Sequence, residues 1–298
     1  MDAHPVTRRE AIGRAAIAGL MLPLLGSARA LGQVTATEPR PLGSLKPGLA
    51  SYSFRKLPTD AAIAAMRDLG ITSVSPFKVH VPILVGTPDD CRAAAAKFRD
   101  AGIAFAGTGV VGLSGSETLM RRAFECGKAA GMTLMTASYT EVPDKATLQL
   151  TERFVQEYDI RLAFHNHGPE DKVFPSPYDV WEAVKPYDVR MGLCIDVGHT
   201  ARAGVDPVEA IRRCADRLYD VHMKDTKAGP GVKKDIPVGL GLGRLDIRAI
   251  IGELQKVSFM GQVGLEYEVE ADNPVPGVAQ SYGYLRGVMD ALSPHPQS

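Results

Sequence analysis

Three observations on this chain of 298 residues predict an α/β fold, a single (β/α)8 barrel. Short apolar runs that read as strands alternate with amphipathic stretches that read as helices, and the runs number eight. They start 24 to 31 residues apart, with a last interval of 43, and most of these spacings are near the length of one βα unit. Polar residues gather at the C-terminal ends of many different runs, as expected where all strand ends converge on one mouth. A doubly wound sheet fits less well, because no G-x-G-x-x-G follows the first run.

The first thirty residues read as an address. Thr7-Arg8-Arg9-Glu10 precedes an uncharged stretch of 12 residues, Ala15 to Gly26, and then the small-residue triplet Ala28-Arg29-Ala30. That is the layout of a cleavable twin-arginine export signal over 1–30. The apolar stretch is short of the roughly 20 residues that span a bilayer, so no stable membrane anchor is expected. The implied location is the periplasm or outside the cell, with the twin-arginine export machinery as a partner. Residues 31–47 read as a Pro-rich linker and 48–298 as the barrel.

The eight runs begin near Gly48 (GLASYSF), Thr72 (TSVSPFK), Ile103 (IAFAGTGVV), Met132 (MTLMTAS), Arg161 (RLAFHNH), Met191 (MGLCIDVGH), Tyr219 (YDVHMKD) and Gln262 (QVGLEYEVE). Helices are expected over Thr59–Leu69, Asp89–Asp100 and Asp206–Leu218, among others. Gly70, Gly102 and Gly131 stand where a left-handed residue ends a helix. The long last interval is explained by the glycine-rich stretch Lys227 to Gly243. It lacks the Lys and Ser/Thr of a phosphate loop and is expected to be a mobile loop at the mouth.

Composition narrows the function. With 34 basic and 34 acidic residues the chain has no electrostatic footprint for nucleic acid. Removing residues 1–30 leaves 30 against 32. Cys91, Cys126, Cys194 and Cys214 form no C-x-x-C pair and read as small buried apolar residues. The last four runs, by contrast, end in groups that are expensive to bury unless paired or metal-bound. His165, Asp196, His222 and Glu266 come one from each strand and offer nitrogen and oxygen ligands. That donor set suits Mn2+, Co2+, Zn2+, Fe2+ or Mg2+ rather than Ca2+.

The stretches AFHNHG, CIDVGHT, DVHMKD and GLEYE, in this order, resemble the sugar phosphate isomerase/epimerase family with the xylose isomerase-like TIM barrel, a group that also includes endonuclease IV-like enzymes. The resemblance covers essentially the whole chain past residue 30. It implies a divalent metal held by Glu, Asp, His and Glu from these strands. Asp196, His222 and Glu266 match three of those positions, and His165 stands where the family has its first Glu. The chain thus looks like an H-N-H branch, and the departure removes one of the two glutamates that a two-sided isomerase mechanism uses.

Around the metal set, further residues read as substrate or proton-transfer groups. Glu266 or His167 is the expected base; His80 or Lys78, at the end of the second run, the expected acid, with a solvated lysine as the alternative for Lys78. Lys224 shares a face with His222 and could stabilise an enolate. Asn166, His199, Arg202 and Glu268 are the expected substrate contacts. Arg202 reads as a clamp or as a surface residue, Glu268 as a group that orients an imidazole, and Glu270 as solvated. The leading expectation is a metal-dependent enzyme that removes a proton α to a sugar carbonyl, an isomerase or epimerase. Beside it stand a lyase acting on 3-keto-glycosides by β-elimination and a sugar-binding barrel without catalysis. The expected partner is a small sugar or keto-glycoside, and a homo-oligomer is compatible with the sequence.

Overall fold

In the computed structural model, the residues described are 45–228 and 235–293. The expected export signal and most of the expected linker lie outside them. The barrel strands are β1 (Lys46–Ala50), β2 (Ser73–Ser75), β3 (Ala104–Phe105), β4 (Val111–Leu113), β5 (Leu134–Tyr139), β6 (Arg161–His165), β7 (Met191–Asp196) and β8 (Leu218–Met223); β9 (Asp225–Ala228) and β10 (Asp235–Val238) form a separate antiparallel pair, and β11 (Gln262–Leu265) completes the ring. All the barrel strands pair in parallel in the order β3-β2-β1-β11-β8-β7-β6-β5-β4. Pairing of β1 with β11 joins the first unit to the last. Lys46 and Pro47 belong to that pairing, so the first strand starts two residues inside the stretch read as linker.

Two of the eight runs are not single strands. GLASYSF stops being a strand at Ala50 and turns through a 3-10 helix over Ser51–Phe54. IAFAGTGVV breaks in two: β3 pairs with β2 and β4 with β5. At the break, the Thr108 hydroxyl donates to the Thr136 carbonyl (3.0 Å) and accepts from the Thr136 amide (2.9 Å), doing with a side chain what a paired backbone does elsewhere.

Helices α1 (Thr59–Asp68), α2 (Pro88–Asp100), α3 (Glu117–Ala129), α4 (Lys145–Tyr158), α5 (Pro177–Val184), α6 (Val197–Arg202), α7 (Pro207–Arg213), α8 (Ile247–Lys256) and α9 (Val275–Leu292) lie in the connections and after the last strand. Their starts are written in the sequence. Thr87 and Asp90 form a reciprocal cap on α2 with Pro88 in the first turn, and the side chains of Ser116, Asp144 and Asp246 cap α3, α4 and α8. Gly70, Gly102 and Gly131 take positive φ just past α1, α2 and α3, as expected. The helix expected over Asp206–Leu218 is shorter, with α7 ending at Arg213 and a 3-10 turn following.

The core lies between strands and helices, where outward-facing strand residues such as Leu49, Val74, Phe164, Ile195 and Val263 meet the apolar helix faces. The barrel interior is polar. Gln262 bridges Ser73 (2.7 Å) and Ser75 (3.0 Å), and Thr136 donates to the buried Asp220 (2.6 Å). Of the stretch expected to be a mobile loop, Lys227 to Gly243, residues 227–228 and 235–238 belong to the β9–β10 pair, and its described C-terminal end is tied down. The buried carboxylate of Asp225 accepts from the backbone amides of Gly241, Gly243, Leu245 and Thr226 at 2.9–3.2 Å. Four main-chain donors on one carboxylate fasten this end of the segment beside the mouth.

Candidate active site

The four expected metal ligands meet because register places them side by side. Asp196 pairs directly with His222, while His165 pairs with Cys194, one inward position before Asp196, and His222 with Gly264, one inward position before Glu266, so the four inward residues stand on neighbouring strands within one step of each other. One ligand atom from each of His165, Asp196, His222 and Glu266 lies within 4.8 Å of the others, and all four are buried. Asp196 does two jobs. Its Oδ1 caps α6 through the His199 amide (2.8 Å), which leaves Oδ2 turned to the cluster, 3.3 Å from His165 Nε2. Glu266 Oε2 lies 3.4 Å from His222 Nδ1.

This donor set fits a cation. Both ring nitrogens of His165 and both of His222 are buried without a hydrogen bond among the described residues, with only carboxylate oxygens at 3.3–3.7 Å beside them. Buried polar atoms are rarely left so, and a shared metal ion is one way to satisfy them together. Cys194, expected to be a plain apolar residue, borders the same group.

Lys224 follows β8 and buries its ammonium among the carboxylates: Asp196 Oδ2 at 3.0 Å, Glu266 Oε2 at 2.8 Å and Glu268 Oε1 at 3.1 Å. Burial works against charge on every one of these groups. For Asp196 and Glu266 the ammonium overrides it, helped by His199 at the first and His222 at the second, and both carboxyls are held well below the usual range. For Lys224 the carboxylates likewise override burial and raise its pKa. Glu268, half-buried, is raised because burial prevails over its lysine partner. Its contact is with Lys224, not with an imidazole that it would orient. Burial lowers His165 to about 3 and His199 to about 4.

A cavity of about 400 Å3 opens beside the cluster. His165, His167, His199, Lys224, Glu266 and Glu268 line one side, and Tyr52, Phe77, Val110, Gly112 and Ser138 the other. Tyr52 and Phe77 meet edge to face with centroids 4.8 Å apart. His167 Nδ1 is 3.1 Å from Asp171 Oδ2, so the carboxylate accepts from Nδ1–H and favours the tautomer with its proton there. The aromatic wall was missed from the sequence, although Tyr52 and Phe77 end the first two runs where the strand-end rule would have found them. Asp220 was missed too, two residues before His222 on the same face and 3.7 Å from its Nε2.

Four expected site residues are elsewhere or otherwise engaged. His80 is buried outside the cavity, with Nδ1 on the Ser51 hydroxyl (2.7 Å) and Nε2 on the Leu57 carbonyl (3.2 Å), so both nitrogens are spent on structure. Lys78 is exposed, its ammonium over the Phe77 ring at 5.5 Å, and does not line the cavity. The Asn166 amide is fully buried, donating to Thr200 Oγ1 (3.2 Å) and accepting from the Asp196 amide (3.0 Å). It ties β6 to β7 and has no face left for a substrate. Arg202 is neither a surface group nor turned to the cavity lining: it contacts His199 Nδ1 (2.9 Å) and pairs with Glu170.

A parallel barrel with a mixed imidazole–carboxylate cluster at its C-terminal mouth, beside a small cavity, defines a class of barrels able to hold a metal at the site of chemistry. The chain belongs to the xylose isomerase-like TIM barrel family, whose profile matches residues 28–288. Among curated proteins it is similar to an inosose dehydratase of Geobacillus kaustophilus, 28% identical over 44% of this chain and 45% of that protein. The chain spans less than half the length of the curated relatives it matches. Among solved structures it resembles the zinc-bound IolI protein (TM-score 0.69, 14% identity, 83% of this chain and 99% of that one). It also resembles a 3-keto-D-glucoside 4-epimerase of E. coli (TM-score 0.63, 14% identity, 82% and 99%).

Proposed function

We propose that the chain is a divalent-metal-dependent enzyme of the sugar isomerase/epimerase type, which removes a proton from the carbon next to a sugar carbonyl. One observation carries this reading: four metal-type donors from four strands converge, buried, beside a sugar-sized cavity, with the ring nitrogens of both imidazoles lacking a hydrogen bond among the described residues. His165, Asp196, His222 and Glu266 would hold the ion, with Zn2+, Mn2+ or Co2+ the best match to two imidazoles and two carboxylates. Bound there, the ion supplies Lewis acidity that polarises a carbonyl and acidifies the neighbouring C–H.

The chain supplies the rest. His167 lines the cavity, and its Nε2 is the free base, because Asp171 fixes the proton on Nδ1. Glu266 is committed to Lys224 and His222 and serves less well as a mobile base. Lys224 lines the same cavity, and its buried ammonium stabilises a developing oxyanion. Tyr52 and Phe77 offer a flat apolar wall for the C–H face of a sugar ring.

A second reading, β-elimination from a 3-keto-glycoside, is favoured by one specific observation. The family's first Glu is His165 here, which leaves a single imidazole base, His167, and a single ammonium, Lys224, and elimination needs one of each. The dehydratase among the relatives belongs to that reaction class by name. The twin-arginine pattern at Arg8-Arg9 supports a site of action outside the cytoplasm.

The test is proton exchange. The Zn2+- or Mn2+-loaded protein in D2O is given a panel of keto-sugars and 3-keto-glycosides and followed by NMR. Deuterium incorporation at the α carbon with the glycosidic bond intact supports the isomerase or epimerase, release of the aglycone supports the lyase, and no exchange with any substrate overturns both in favour of a binding barrel.

A further inference from the structure

His199 is contacted on both ring nitrogens by cationic donors. Arg202 Nη1 lies 2.9 Å from Nδ1, and Lys224 Nζ lies 3.2 Å from Nε2. A neutral imidazole has one acceptor nitrogen and an imidazolium none, so at most one of these contacts is a hydrogen bond. A guanidinium is always a donor, and Arg202 is further held by Glu170 on its other terminal nitrogen. A lysine ammonium has three N–H bonds, and Lys224 already has three carboxylate oxygens at 2.8–3.1 Å. The shorter contact is therefore the hydrogen bond: Nδ1 accepts from Arg202, and the ring proton sits on Nε2.

We propose that Arg202 is a positioning residue that locks His199 in the Nε2–H tautomer, so that the imidazole presents a fixed neutral donor to the cavity beside the Lys224 ammonium. The imidazole lines the cavity 3.2 Å from the ammonium, and an oxygen of the substrate that gains negative charge would accept from His199 Nε2–H while the Lys224 charge nearby favours it electrostatically. The backbone is shaped for this contact. Gly168 has φ +91°, and a Cβ there would stand 3.4 Å from Arg202 Nη1 and 3.6 Å from His199 Nδ1. A glycine lets the loop after β6 lie directly over the pair. The tautomer follows from geometry alone, whereas its role toward an oxyanion rests on the proposed enolisation.

The experiment uses the full chain labelled with 15N-histidine and loaded with diamagnetic Zn2+, with His199 assigned among the seven histidines by its loss in His199→Gln. The long-range 1H–15N spectrum is expected to show an unprotonated Nδ1 and a protonated Nε2. Arg202→Met, which keeps the side-chain length and removes the donors, should populate the other tautomer, and Arg202→Lys should restore part of the original pattern. Turnover by Arg202→Met should fall in kcat by about ten- to a hundredfold, the usual effect of losing an orienting partner, with KM nearly unchanged. A protonated Nδ1 in the wild-type chain, or a spectrum unchanged in Arg202→Met, overturns the proposal. Should Arg202→Met not fold, the wild-type spectrum decides alone. A raised KM with kcat intact would make Arg202 a substrate clamp and overturn the positioning role. Absence of turnover by any variant counts against the enzymatic reading and leaves the tautomer result standing.

Discussion

The two walls of the cavity are built on opposite principles. The wall from β6, β7, β8 and β11 carries His165, Lys224, Glu266 and Glu268, with Asp196 and His222 buried behind them, charged or ionisable groups in close contact. The wall from the first strands carries Tyr52, Phe77, Val110, Gly112 and Ser138, none of them charged. Each charged residue leans on several others, so a change at one is felt by all. The aromatic residues contribute area, which is lost piece by piece. The difference separates chemistry from grip, and it can be tested by asking whether mutations on the two sides change different observables.

The largest effect is expected at Glu266→Gln. It removes a cluster carboxylate and a Lys224 partner together, and proton exchange into substrate should drop by about a thousandfold, within the range for loss of a group that organises the charge stabilising the transition state. Exchange at the wild-type rate would break the assignment of this wall to chemistry. Next comes Lys224→Met, which strands three buried or half-buried carboxylates without their ammonium. Unfolding of the metal-free protein in urea should show a loss of about 3–5 kcal/mol. Zn2+ should recover much of it, because the ion takes over part of the neutralisation.

On the other wall, Phe77→Ala should raise KM about tenfold with kcat nearly unchanged, corresponding to about 1.4 kcal/mol of uniform binding. A fall in kcat instead would mean that the aromatic wall also shapes the transition state. His80→Gln sharpens the comparison from outside both walls. Burial lowers the pKa of His80 below its ordinary value, and its hydrogen bonds to the Leu57 and Phe54 backbone offset this only in part. The unfolded chain therefore binds a proton that the folded one refuses. The stability this residue confers is present above about pH 6.5 and is lost as pH falls toward the lower folded value, with a slope of up to about 1.4 kcal/mol per pH unit. Urea titrations from pH 7 to 5 should be shallower in His80→Gln, while its KM stays that of the wild type.

Reading the sequence found the charged wall and overlooked the aromatic one for a physical reason. A buried Asp or His is costly without a partner, so its presence at the end of an apolar run signals something to be bound. Tyr52 and Phe77 cost nothing to bury and pass for core. The eight units were legible from spacing and helix-ending glycines, because those are local. What was not legible depended on neighbours distant in sequence. His80 and Lys78 sit at a strand end like the real site residues, yet the turn over Ser51–Phe54 captures His80, and Lys78 stays in solvent. Asn166, between two cavity histidines, points the other way because alternate residues of an extended chain face opposite sides. The anchoring of the glycine-rich segment at its C-terminal end was likewise not legible, since Asp225, across the hairpin, accepts from the Gly241 and Gly243 amides.

Most of the pairing that closes this barrel is written in the main chain and survives any change of side chain. Between Thr108 and Thr136 it is written in a hydroxyl. That rung can be deleted by a single exchange of oxygen for methyl. Thr108→Val would leave a buried amide and carbonyl of β5 unpaired, a penalty of about 1–3 kcal/mol for each such group. The wall thus has a genetic weak point, and amide hydrogen exchange at Thr136 would report it first.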